Sequence, residues 1–221
     1  MNAVLRSFVA KDLYFARPVM IGSVLVALLA IPLLSLGSLG RYAAMILMVC
    51  AGAVPNFFIC GMLVVTERKE RVNLFTLGLP ISGAKAALAK ALAAATAYIV
   101  PWTVMLIGTF VLFAVAHAPK GLLPFGTMAW VFLFDQFCLV LTVTLTSKSE
   151  ALFSTVIVVC NVSISFYFYS FLSLHVISDS MPSAVAAWSP FVLKVIAIEL
   201  LIGLALLSFT FWHVTRQRDF I

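Results

Sequence analysis

Residues 125–145 read FGTMAWVFLFDQFCLVLTVTL, and Asp135 is the one charged side chain in that stretch of 21 residues. At a rise of about 1.5 Å per residue such a run makes a helix about 31 Å long, the thickness of a bilayer's hydrocarbon core. No water reaches that depth to satisfy backbone amides, so a helix, which bonds its own, is the expected form. The chain on either side reads the same way. Runs from about Pro18 to Leu36, Tyr42 to Val65, Ala87 to Ala116, Ala151 to Leu174 and Phe191 to Trp212 are equally apolar. Together they predict six spans in a single domain, residues 1–221. Alternating segments of about ten residues, the mark of a membrane barrel, are absent. The fold class expected is therefore an all-α integral membrane protein.

Composition supports this. Of 221 residues, 64% are hydrophobic and 10% charged, with mean hydropathy +1.17. A soluble domain is about 25% charged, and a globule of this size has too much surface to hide so many apolar side chains. A soluble enzyme, a disordered chain and a secreted disulfide scaffold are excluded. Cys50, Cys60, Cys138 and Cys160 all fall in apolar runs with no Cys-x-x-Cys pair, which reads as packing. The first apolar run has no small-residue cleavage site and is followed by five more, so it reads as a span and not as a signal peptide.

Lys and Arg set the expected orientation. One set of connections holds Arg6, Lys11, Arg17, Arg68, Lys69, Arg71, Lys85, Lys90, Lys148, Arg216 and Arg218; the other holds Arg41 and Lys120. Cytoplasmic loops carry such an excess, so both termini and the loop after span two are expected inside. The net charge of +6 then reads as a topology signal next to membrane lipid and not as a nucleic-acid surface.

Catalytic and phosphate-binding patterns are missing. The chain has no G-x-x-x-x-G-K-[ST], no G-x-G-x-x-G, no H-E-x-x-H and no G-x-S-x-G. His117, His175 and His213 are isolated. The chain is expected to be no enzyme and to bind no cofactor or metal, any ATP and Mg being held by a partner.

Three features are candidates for function. The first is the loop TERKERVNLFTLGLP, residues 66–80. Glu67 and Arg71 support a helix at i, i+4. Val72, Phe75 and Leu79 fall on one face, and Pro80 stops the helix. The second is span five, where Asn161, Ser165 and Phe166 read as dimer-facing or pathway residues, as does Asn56 beside Pro55 in span two. Small hydroxyl and amide side chains let helices approach and hydrogen-bond. The third is the pair of intramembrane acids, Asp135 and Glu199. A charge at the bilayer centre costs at least about 2.5–3.5 kcal/mol, so each calls for an ion pair, a proton or a substrate contact. Lys194, five residues before Glu199, points to another side and can snorkel. Pro32, Pro55 and Pro101 loosen spans one to three.

Phe8-x-x-Lys11-Asp12-Leu13 lies in the N-terminal segment. Glu67, Thr76, Leu79, Pro80 and Ser82 stand in the loop, and Lys90 opens span three. In these residues and in its six-span layout the chain resembles the ABC-2 family of ATP-binding-cassette transporter permeases, most of all its compact members without a fused ATPase. The resemblance implies an interfacial elbow helix over residues 1–17, in which Asp12 interrupts the apolar face of Leu5 and Phe8. It implies a coupling helix over residues 67–80, with Glu67, Arg68, Glu70, Arg71, Phe75, Thr76, Leu79 and Pro80 set against the ATPase. Two ATPase subunits and a second permease copy or paralogue would complete an exporter in the plasma (bacterial inner) membrane. Spans one and five would meet across the dimer axis, and the segment before span six would be re-entrant. Its cargo would be apolar or amphipathic: a peptide, a drug-like compound or a lipid-linked molecule. Two other classes stay open: a proton-coupled carrier using Asp135 and Glu199, and the six-span substrate-binding subunit of a vitamin importer.

Overall fold

The structure is a computed structural model, and it describes residues 3–33, 36–67, 83–115, 119–147 and 149–216. Helix α1 spans Ala3–Leu33, and α2 spans Gly37–Cys60 and runs on as a π-helical turn, Gly61–Thr66. Helix α3 is Gly83–Val115, α4 Leu122–Thr146 and α5 Glu150–Leu172. A four-residue helix, α6, occupies His175–Ser178, and α7 closes the chain at Pro190–Arg216. No strand occurs among the described residues. All six expected spans are present, each long and apolar enough to cross a membrane. Six crossings place the start of α1 and the end of α7 at one end of the bundle, here the termini end.

Helix α4 is the centre. It is the most buried of the six, and α2, α3, α5 and α7 all pack on it. Its fit to α2 depends on Gly52, where a Cβ would lie 2.7 Å from Leu133 Cδ1 and 2.9 Å from the Trp130 ring. Across the same crossing the Tyr98 hydroxyl of α3 lies 3.2 Å from Gly52 O and 3.1 Å from Leu133 O, and its ring stacks on Phe137 at 4.1 Å. The α1–α3 contact is made of small residues, with Ala16 buried on α1 and Ala87, Ala91, Ala94 and Ala97 buried on α3. In lipid, where apolar burial does not drive helices together, such close backbone approach is what holds them.

Two expectations need revision. Residues 3–17 form no separate elbow: they run unbroken into span one, with Pro18 and Pro32 inside a helix of 31 residues. That helix is about 46 Å long and α3, with 33 residues, about 50 Å. Both overhang a core of about 30 Å. The expected coupling helix, Glu67 apart, lies outside the described residues. Before α7 there is one four-residue helix and not a re-entrant pair. Ile177 is buried and Met181 partly so, while Val176 and Val185 are exposed. The segment folds onto the α3–α4 turn, where the Gly121 amide donates to Ser183 O at 3.0 Å.

Candidate functional site

Four charged residues from three distant stretches meet near the termini end. Lys90, in the second turn of α3, donates to Leu63 O at 2.9 Å, lies 3.6 Å from Asp12 Oδ2 and pairs directly with Glu67 Oε2. Lys11 bridges the same two acids, 3.2 Å from Asp12 Oδ1 and 3.2 Å from Glu67 Oε1. The site stands at the end of the π-helical turn, where the Glu67 amide donates to Val64 O, three residues back, and Lys90 donates to the Leu63 carbonyl. A register shift of this kind inside a helix is a common device at functional sites. Asp12 is 1% exposed and the Lys90 side chain 9%, whereas Lys11 is 42% exposed. Two cations balance two carboxylates, so the buried charges are compensated. Taking one member from such a buried set costs about 3–5 kcal/mol. Helices α1 and α3 are thus tied to the end of α2 where residues 68–82 begin.

The cluster explains Asp12, which the sequence placed awkwardly on an apolar face: its carboxylate lies between the ammonium groups of Lys11 and Lys90, paired by charge without a hydrogen bond. Glu67, read as an ATPase contact, turns toward Lys11 and Lys90. Arg68, Glu70, Arg71, Phe75, Thr76, Leu79 and Pro80 lie outside the described residues.

The expected pathway residues divide into three groups. Asp135 and Glu199 lie together in the α4–α7 interface. Asp135 Oδ1 sits so close to Gly203 that a Cβ there would collide with it. The Tyr167 hydroxyl donates to Glu199 Oε1 at 2.8 Å. Asp135 Oδ1 and Glu199 Oε2 have no hydrogen-bond partner, and no described Lys, Arg or His pairs with either acid. The ion pair expected for Asp135 is therefore not made among the described residues. Asn56 stands apart on α2, fully buried, with neither amide atom partnered. Asn161, Ser165 and Phe166 face outward on α5, and the Asn161 amide donates to Ile157 O of its own helix at 2.8 Å. The sequence reading missed Gln136, which turns the opposite way from Asp135. It donates to Cys160 O at 3.0 Å and Ser163 Oγ at 2.9 Å, joining α4 to α5. A Gln beside an Asp in an otherwise apolar run was the available signal.

An apolar chamber of about 480 Å³ opens in the half of the bundle away from the termini, with walls from α2, α3, α4 and α5 and the segment after α6. Met48, Phe125, Trp130, Phe168 and Met181 line it, with a hydroxyl from Thr109. That hydroxyl is engaged: it accepts from Trp130 Nε1 at 3.1 Å and donates to Met105 O at 2.8 Å. Trp102 Nε1 holds the Trp130 carbonyl at 2.8 Å. The chamber has the size of a ligand pocket and offers an apolar body shape complementarity and little else. No cluster of metal-ligating side chains occurs among the described residues. Comparison with family models, with curated proteins and with solved structures finds no match to this chain.

Proposed function

We propose that this chain is the membrane-spanning permease subunit of an ABC-2-type exporter in the plasma membrane, powered by ATP on a separate ATPase subunit. The observation that carries the reading is the meeting of Lys11, Asp12, Glu67 and Lys90. These are residues on which the sequence resemblance rests, and they converge at the root of the segment that the resemblance gives to the ATPase. A push on residues 68–82 reaches Glu67 first, and through Lys11 and Lys90 it reaches α1 and α3 together. The apolar chamber suits an apolar or amphipathic cargo. Helices α5, α1 and α7 are the least buried spans, and α1 and α5 are the two that a second permease copy or paralogue would cover.

Charge exchange tests this. Glu67→Lys is expected to lose cargo-stimulated ATP hydrolysis in the assembled complex, as is Lys90→Glu, and the double exchange is expected to recover most of it. Phe75→Ala, which leaves the cluster intact, is expected to weaken coupling without altering the thermal melt. Full coupling in both Glu67→Lys and Phe75→Ala would sink the proposal. A carrier that uses Asp135 and Glu199 is the second reading, favoured by their lack of a cationic partner among the described residues. Transport driven by a pH gradient with no ATPase present would establish it.

A further inference from the structure

The 480 Å³ chamber is not isolated. A second cavity of about 120 Å³ lies between α1, α2 and α3, and it shares Met48, Thr109 and Trp130 with the chamber. An open groove between α1 and α3 comes next, sharing Ile31, Val104, Gly108 and Leu112 with the second cavity. The exposed side chains of Ile107 and Val111 mark this groove as facing outward at membrane depth. Three apolar spaces therefore stand in series. They adjoin one another from the outer surface between α1 and α3 to the interior chamber, with Met48, Thr109 and the Trp130 indole at the last boundary.

We infer that this series binds the alkyl chain of a membrane amphiphile, entering between α1 and α3, with Trp130 as the side chain that divides entry from chamber. The shape selects the ligand. The middle space is small, about 120 Å³, which favours a linear chain over a fused ring system. Apart from the engaged Thr109 hydroxyl and Tyr42 the chamber walls are apolar, with no charged side chain to hold a headgroup, so the polar end stays at the rim. The partition is adjustable: within the cavity Trp130 is held through one bond from its indole nitrogen, and Met48 on the facing wall is unbranched and flexible. The inference rests on the export reading only in identifying the bound chain as cargo. Binding itself needs no ATPase.

Two glycines provide the test. Gly126 lines the chamber, and Gly108 lines the second cavity and the groove; an added Cβ meets nothing within 4 Å at either. Gly126→Leu and Gly108→Leu therefore start from a Cβ that meets no neighbour and carry bulk into the path beyond it, and Leu also raises helix propensity. Gly22→Leu on α1 is the control, since its site is equally open and lines none of the three spaces. The probe is brominated stearic acid, read by saturable quenching of tryptophan fluorescence in the full chain in nanodiscs, with melts run alongside. Each plug is expected to weaken binding about 10-fold or more, with Gly22→Leu within about twofold of the native chain. One plug suffices if the other fails to fold. Brominated phosphatidylcholine in the disc distinguishes a bilayer tail from a free single-tailed amphiphile: Trp188 and Trp212 are exposed and are quenched by it in every chain, so only quenching that the two plugs diminish, from either probe, supports the inference. Unsaturable quenching, equal affinity in all four chains, or plug-sensitive quenching by pyrene with none by stearate overturns it. Plug-sensitive chain binding together with full coupling in both Glu67→Lys and Phe75→Ala would leave this inference standing while the export reading falls, and lost coupling in those variants without chain binding would do the reverse.

Discussion

Lys90 sends its ammonium to three groups on two other pieces of chain: a carbonyl of α2's π-helical turn and Glu67 just after it, and Asp12 on α1. Each of these residues was visible in the sequence, but their meeting was not. Asp12 and Lys90 are 78 positions apart, and nothing in a hydropathy pattern reports which two helices will touch. What the sequence did offer was an anomaly, an acid set among the apolar angles of Leu5 and Phe8. An uncompensated charge on a packed face is costly enough to imply a partner. Gly203 is a different case. A glycine in an apolar span reads as neutral, yet here its missing side chain makes room for Asp135 Oδ1 and the Phe134 ring. Gly203→Val is expected to destabilise the bundle by about 1–3 kcal/mol through overpacking, while Gly22→Val, at an open site, leaves the melt unchanged. Equal melts for the two variants would remove Gly203 from the α4–α7 contact.

Among the elements, length was legible and breaks were not. Six apolar runs gave six helices because backbone satisfaction in lipid leaves no other form. Pro18 reads as a helix start, since proline suits a first turn, but the helix passes through it, and Ala16, two residues earlier, is fully buried in the cluster that holds the α3 alanines. Tertiary contact overrides the local signal there. The four prolines at 18, 32, 55 and 101 all remain inside helices. Helix α5 carries opposite characters on adjacent residues: Phe166 is 70% exposed, while Tyr167 is 7% exposed and stacked on Phe132 at 4.0 Å. If α5 lies at a two-fold contact between copies, Phe166→Cys is expected to cross-link two chains on mild oxidation and Tyr167→Cys is not. Cross-linking from both positions, or from neither, would count against α5 as the contact.

For the whole molecule, composition decided the class and the charge bias decided the expected orientation, both through physics that needs no contact map. The chamber and its approach were illegible because a cavity is what side chains fail to fill. Gly108 and Gly126 are silent in a pattern until neighbouring helices are placed around them. The orientation can be checked directly in intact cells. A cysteine replacing Lys120 is expected to react with an impermeant maleimide added from outside, and one replacing Arg216 only after the membrane is breached. The reverse labelling would invert the assignment and move the charged cluster to the outer surface. The central position of α4 also bears on biosynthesis. Helices emerge from the ribosome in chain order, so the element on which α2, α3, α5 and α7 all pack is made fourth. Until it arrives, Gly52 lacks the Trp130 and Leu133 side chains that pack on it, and the Tyr98 hydroxyl lacks the Leu133 carbonyl. The interval between the third and fourth insertions is then the stage at which quality-control proteases find the most to recognise, and a stalled chain ending there is the one a cell must clear.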